Sequence, residues 1–126
     1  MAKKKIKILL VEDDSFLLNM YATKFEIENF EVVVAEDGEK GSKAAAAEMP
    51  DIILLDIMLP KMDGFDVLKQ IKSNQATANI PVILLTNLSQ KDDINKGLSL
   101  GAVDFLIKAH FMPSEVVEKI KKILNK

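Results

Sequence analysis

The sequence predicts an α/β protein: a (βα)5 chain on a doubly wound, five-stranded parallel sheet of order 2-1-3-4-5, with helices on both faces. Three observations carry that expectation. Short, nearly unbroken apolar runs recur along the chain, and segments of helical periodicity alternate with them. A length of 126 residues with 48% hydrophobic content suits one domain with one core, so residues 1–126 read as a single unit.

Five runs read as strands: Ile6 to Val11, Val32 to Ala35, Ile52 to Leu55, Val82 to Leu85 and Phe105 to Ile107. Being β-branched or leucine-rich, they suit strands buried on both faces. The first helix is expected from Ser15 to Glu28, with Leu17, Met20, Tyr21 and Phe25 on one stripe and Asp14 as its cap. The second spans Gly38 to Glu48, where Ala44 to Ala47 suits a close-packed helix. Asp63 caps the third, Gly64 to Ser73, and a turn-rich stretch follows to Pro81. Ser89 and Asp92 resemble a capping box that opens the fourth, which ends near Leu100-Gly101. Pro113 in a first turn and Val116, Val117, Ile120, Ile123 and Leu124 at helical spacing define the fifth. Right-handed crossovers and helices on both sheet faces leave few topologies for such an alternation, of which 2-1-3-4-5 is the natural one.

Charge excludes little by itself: 17 basic against 19 acidic residues give no global field toward nucleic acid or an anionic membrane. The absence of cysteine rules out disulfides and thiolate metal sites and fits a reducing, cytoplasmic setting. No apolar run is long enough for a signal peptide or a membrane span, so the N-terminal lysines read as a basic tail. Lys119, Lys121, Lys122 and Lys126 read as cations complementing a helix C-terminus.

In doubly wound sheets the site lies beyond the carboxyl ends of the strands, at the switch point between the first and third. That edge collects Glu12, Asp13 and Asp14 after the first strand, Asp56 after the third, Thr86 after the fourth and Lys108 after the fifth. Crowded carboxylates repel one another unless a cation intervenes, so the cluster implies a metal. An all-oxygen donor set selects a hard ion such as Mg²⁺ over zinc. Lys108 supplies a point charge suited to a phosphoryl oxygen, Thr86 a hydroxyl for another, and Asp56 a carboxylate nucleophile.

Val11-Glu12-Asp13-Asp14, Leu54 to Pro60, Met62-Asp63-Gly64, Leu85-Thr86 and Asp104 to Lys108 together resemble the receiver domains of two-component signalling, over nearly the whole chain. The intervals of 30 residues from Asp56 to Thr86 and 52 from Asp56 to Lys108 are similar to that family's usual spacing. The resemblance implies a flavodoxin-like fold in which Asp56 is the phosphoacceptor and Glu12 and Asp13 form the acidic pair that holds Mg²⁺. It makes Asp13, Asp56 and the Met58 backbone carbonyl direct ligands, Thr86 and Lys108 the groups that bind phosphoryl oxygens, and Phe105 the switch aromatic. Fourth helix, fifth strand and fifth helix become the output face.

The implied partners are a histidine kinase or phosphotransfer protein and a downstream protein, with no direct contact to nucleic acid or membrane. The chain is then no enzyme toward external substrates. It is expected to act as a stand-alone receiver, a relay intermediate, or part of a longer regulator.

Two stretches depart from the family pattern. Lys108-Ala109-His110-Phe111 lacks the usual proline after the lysine and carries one added residue; Asn87 stands where a small residue is usual. The Lys108–Ala109 bond is expected trans, since a cis bond without proline costs about 2.5–4 kcal/mol. His110 reads as a loop residue. A Mg²⁺-dependent phosphatase usually has a second acid two residues after its nucleophile, where this chain has Met58. A flavin binder needs a phosphate loop after the first strand, where Glu12-Asp13-Asp14 repels phosphate.

Overall fold

The computed structural model describes residues 5–86, 91–107 and 113–125, with the side chain of Lys91 not described. In chain order the elements are β1 (Lys7–Val11), α1 (Ser15–Ile27), β2 (Glu31–Ala35), α2 (Gly38–Glu48) and β3 (Ile52–Asp56), then α3 (Gly64–Ser73), β4 (Val82–Thr86), α4 (Lys91–Ser99), β5 (Asp104–Ile107) and α5 (Pro113–Ile123). All strand pairs are parallel and the sheet order is β2-β1-β3-β4-β5. The predicted fold class and order both hold.

Alternation along the strands divides the core into two layers. Ile8 and Leu10 of β1, Ile52 and Leu54 of β3, and Ile83 and Leu85 of β4 meet Tyr21 and Phe25 of α1 and Val116, Val117 and Ile120 of α5. Leu9, Val11, Ile53, Leu55, Val82 and Leu84 face the other way, onto Ala45 of α2 and Phe65, Val67, Leu68 and Ile71 of α3. Strands β3 and β4 are buried at every position, as continuous apolar runs require. β2 lies at the edge, as the predicted order requires, but the expected burial on both faces is corrected there: Val34 is 44% exposed although its sequence looks like that of a buried strand. The alanine run is also only partly packed, with Ala45 in the core and Ala46 and Ala47 exposed.

The predicted caps fall into place. Asp14 Oδ1 accepts from the amides of Phe16 (2.9 Å) and Leu17 (3.2 Å), and Asp63 Oδ1 from that of Asp66 (3.0 Å). Each occupies donors that a helix start leaves without partners. Asp37, which the sequence does not single out, does the same for α2 through Lys40 N (2.8 Å). The expected cap at Ser89 lies outside the described residues. The C-terminal lysines do more than complement a dipole: Lys119 pairs with Asp104 of β5 at 2.7 Å and Lys121 with Glu28 beyond α1 at 3.6 Å.

Candidate functional site: an acidic cluster at the carboxyl edge

The ladder fixes which residues meet at this edge. Val11 pairs with Leu55, so the chain leaves β1 at Glu12 beside the point where β3 ends at Asp56. Asp56 pairs with Leu85 and Thr86 with Ile107, which puts Thr86 at the next strand end and Ile107 immediately before Lys108. Asp56 and Thr86 each close their strand instead of following it, one residue further along the ladder than the sequence indicates. The reason is continued backbone pairing: Ile57 N donates to Leu85 O at 3.1 Å, and Glu12 N to Ala35 O at 3.0 Å.

Glu12, Asp13 and Asp56 each present a carboxylate oxygen within 4.8 Å of the others. Glu12 is fully buried and Asp56 only 4% exposed, while Asp13 faces solvent. Glu12 Oε2 accepts from Asp14 N at 3.1 Å, which ties the buried acid to the turn that starts α1. Asp56 Oδ1 accepts from Met58 N at 3.2 Å, which folds the chain after β3 back over the carboxylate. Thr86 is buried beside this edge, and Phe105 is half-buried against the α2–α3 layer, in register with Leu84. Three acids so close carry mutual repulsion that a hard, oxygen-seeking divalent cation relieves, and the donor set fits such an ion.

The loop from Ile57 to Asp63 is held closely. Gly64 N donates to Ile57 O at 2.8 Å, and a Cβ on Gly64 would lie 2.3 Å from Asp56 O. Only glycine lets α3 start that close to the acidic strand end. The sequence marks the Asp63-Gly64 pair as a cap and its helix start, but not this second role.

Of the residues singled out from sequence, the fold brings Glu12, Asp13, Asp56 and Thr86 to one edge, with the Met58 amide against Asp56. Asp14 stands apart as a cap. Lys108, the Lys108–Ala109 bond, Asn87 and His110 lie outside the described residues.

A five-stranded doubly wound sheet with carboxylates gathered at its switch point is the architecture of a receiver domain. The family model of the response regulator receiver domain matches residues 8–121, and the chain belongs to that family of two-component signalling proteins. It is 39% identical over 120 residues to the alkaline phosphatase synthesis transcriptional regulatory protein PhoP of Bacillus subtilis, covering 95% of this chain and 49% of PhoP. The chain thus spans about half the length of that relative. Among solved structures it resembles a CheY-like response regulator receiver domain protein from Methanospirillum hungatei, with a TM-score of 0.90 at 27% identity, covering 97% of this chain and 95% of the other. It is also similar to the receiver domain of a sensor histidine kinase from Pseudomonas aeruginosa (TM-score 0.89, 25% identity, 98% of this chain and 100% of the other), which has a magnesium ion coordinated in its active site cleft.

Proposed function

We propose that this domain is a phosphoacceptor switch in which Asp56 receives a phosphoryl group with Mg²⁺ bound. The observation that carries this reading is the convergence of Glu12, Asp13 and Asp56 within 4.8 Å at the strand ends, beside buried Thr86. Asp13, Asp56 and the Met58 carbonyl would hold the ion, and buried Glu12 orients the first turn beside them through Asp14 N. Bound Mg²⁺ supplies neutralisation of the charge on the transferring group.

An Asp56 oxygen attacks phosphorus in line and forms the new O–P bond. The bond from phosphorus to the donor breaks, and its electron pair stays with the donor, an imidazole nitrogen of a kinase or phosphotransfer histidine, or the acyl oxygen of a small acyl phosphate. Thr86 donates its hydroxyl to one phosphoryl oxygen and Lys108 its ammonium to another, so that the α4-β5-α5 face, with Phe105 within it, repacks and changes its affinity for a downstream protein. The domain turns over no external substrate, acts in the cytoplasm, and makes no direct contact with nucleic acid; in a longer regulator such contact belongs to another domain. No helix among the described residues is long and apolar enough to cross a membrane.

Intact-mass spectrometry after incubation with acetyl phosphate and Mg²⁺ tests this. One added phosphoryl group is expected on the wild type and none on Asp56→Asn, because an amide is not a competent nucleophile here. Full labelling of the Asn variant would place the acceptor elsewhere.

A further inference from the structure

Helix α2 contributes no acid to the cluster, yet its first residue presses on the loop that follows Asp56. Gly38 is buried, and its amide donates to Pro60 O at 3.3 Å. A Cβ built on Gly38 would lie 1.7 Å from Met62 O and 2.6 Å from Met62 C. Both atoms are backbone, so no change of rotamer would relieve the overlap.

We propose that Gly38 is a positioning residue for the metal-binding loop: by lacking a side chain it lets α2 seat directly on the Pro60–Met62 turn, which fixes the segment carrying Met58 beside Asp56. This rests on the reading of the acidic cluster as a Mg²⁺ site.

Three features make the turn, not the helix, the part that must yield to a wedge at Gly38. Asp37 fixes the first turn of α2 through Lys40 N at 2.8 Å, so the position of Gly38 is set by a cap. Gly41 packs so closely on β1 that a Cβ there would lie 2.8 Å from Val11 Cγ1, and Ala45 sits in the core one turn on. The turn, by contrast, holds Lys61 at φ 69°, in the left-handed region that a lysine seldom adopts, and Met62 N bonds back to Pro60 O at 2.8 Å. It leads in one direction to Met58, whose amide bonds Asp56, and in the other to Asp63 and Gly64, whose amide bonds Ile57 O. A displacement at Met62 is therefore carried toward the Met58 carbonyl. A divalent ion that already draws on few protein ligands loses affinity when one of them shifts.

The test is Mg²⁺ titration of the whole domain, read by calorimetry and by the amide NMR shifts of Met58 and Asp13, with thermal midpoints measured in parallel. Gly38→Ala is expected to raise the Mg²⁺ Kd about tenfold, the low end of what lost support around a metal ligand costs. Gly101→Ala is the control, because at φ 110° the added methyl is strained and meets only side-chain atoms of Lys72, at the far end of α3 from Gly64; its thermal midpoint is expected to fall while its Kd stays at the wild-type value. Should Gly38→Ala fail to fold, Asp37→Ala carries the test by loosening the same seat without a wedge, and about a threefold weaker Kd is expected, a smaller loss than the wedge for the same support. Wild-type affinity in the folded variant, or equal weakening by Gly101→Ala, overturns the proposal. A wild type that binds no Mg²⁺ overturns the metal reading and this inference together, whereas normal wild-type binding with an unchanged variant overturns this inference alone.

Discussion

At the scale of single residues, the two acids nearest solvent and core have different work. Asp13 is exposed and Glu12 fully buried, although they are adjacent in sequence. An exposed carboxylate reaches a hydrated ion directly, while a buried one holds the surrounding turn. Asp13→Ala is expected to raise the Mg²⁺ Kd at least tenfold, roughly the scale of losing a ligand or its support, with little change in folding because the side chain is exposed. Calorimetric titration checks this, and a Kd equal to wild type would show that Asp13 is not a ligand. That Glu12, Asp13 and Asp56 meet was legible from their positions after apolar runs. The burial difference between neighbours was not, because it depends on how the chain turns into α1.

At the scale of elements, α1 and α5 share one face of the sheet and are tied at their ends by charge. Glu28, just beyond α1, pairs with Lys24 at 3.2 Å and with Lys121 of α5 at 3.6 Å. The hydrogen bond and charge of Lys24, followed by the charge of Lys121, hold its carboxyl below the usual 4.5. A carboxyl lowered in the folded state contributes stability that is present above its unfolded pKa and is lost as pH falls through the folded one. The stability difference between wild type and Glu28→Gln is therefore expected to favour wild type at about pH 7 and to shrink in acid, as pH falls below the usual 4.5 and on through the lowered folded value. Urea unfolding at neutral and at acid pH checks it, and added salt should shrink the difference at neutral pH, since the pair is only partly buried. The sequence placed Lys121 in a last helical turn, but its partner across the fold comes from tertiary packing alone. For β2 the composition of Val32 to Ala35 suggests burial on both faces, whereas the predicted sheet order already makes it an edge, and the order decides.

At the scale of the whole molecule the question is how long a phosphorylated state lasts. On the proposed reading, Met58, two residues after Asp56, and Leu88, two after Thr86 and outside the described residues, are the positions expected to bear on hydrolysis of a phosphorylated Asp56. The Met58 side chain is 76% exposed and apolar, so it offers no strong hydrogen bond to orient an attacking water. Positioning is most of what a protein adds to phosphoryl transfer, and each ~1.4 kcal/mol lost from it is about tenfold in rate. Self-dephosphorylation is expected to take minutes or longer, and Met58→Asn with Leu88→Asn to shorten it. Following decay of the phosphorylated protein in Mg²⁺ decides this; loss within seconds in the wild type, or no acceleration in the double variant, would show that other groups set the lifetime.

The sequence by itself determined the class of fold, since five apolar runs alternating with helical segments admit few arrangements once crossovers are right-handed. It also indicated that Glu12, Asp13, Asp56 and Thr86 would meet at one edge, because a parallel sheet delivers whatever ends or follows each strand there. Helix starts at Ser15, Gly38 and Gly64 were readable because caps and breakers act over a few residues. Tertiary structure decided what depends on distances between elements far apart in the chain. It placed Glu12 out of solvent and Asp13 in it, and brought Gly38 and Gly64 against the loop after Asp56 so closely that neither has room for a Cβ. Those contacts join α2, α3 and the end of β3, and no local pattern records them, because a glycine chosen for close approach looks in sequence like a glycine chosen for a turn.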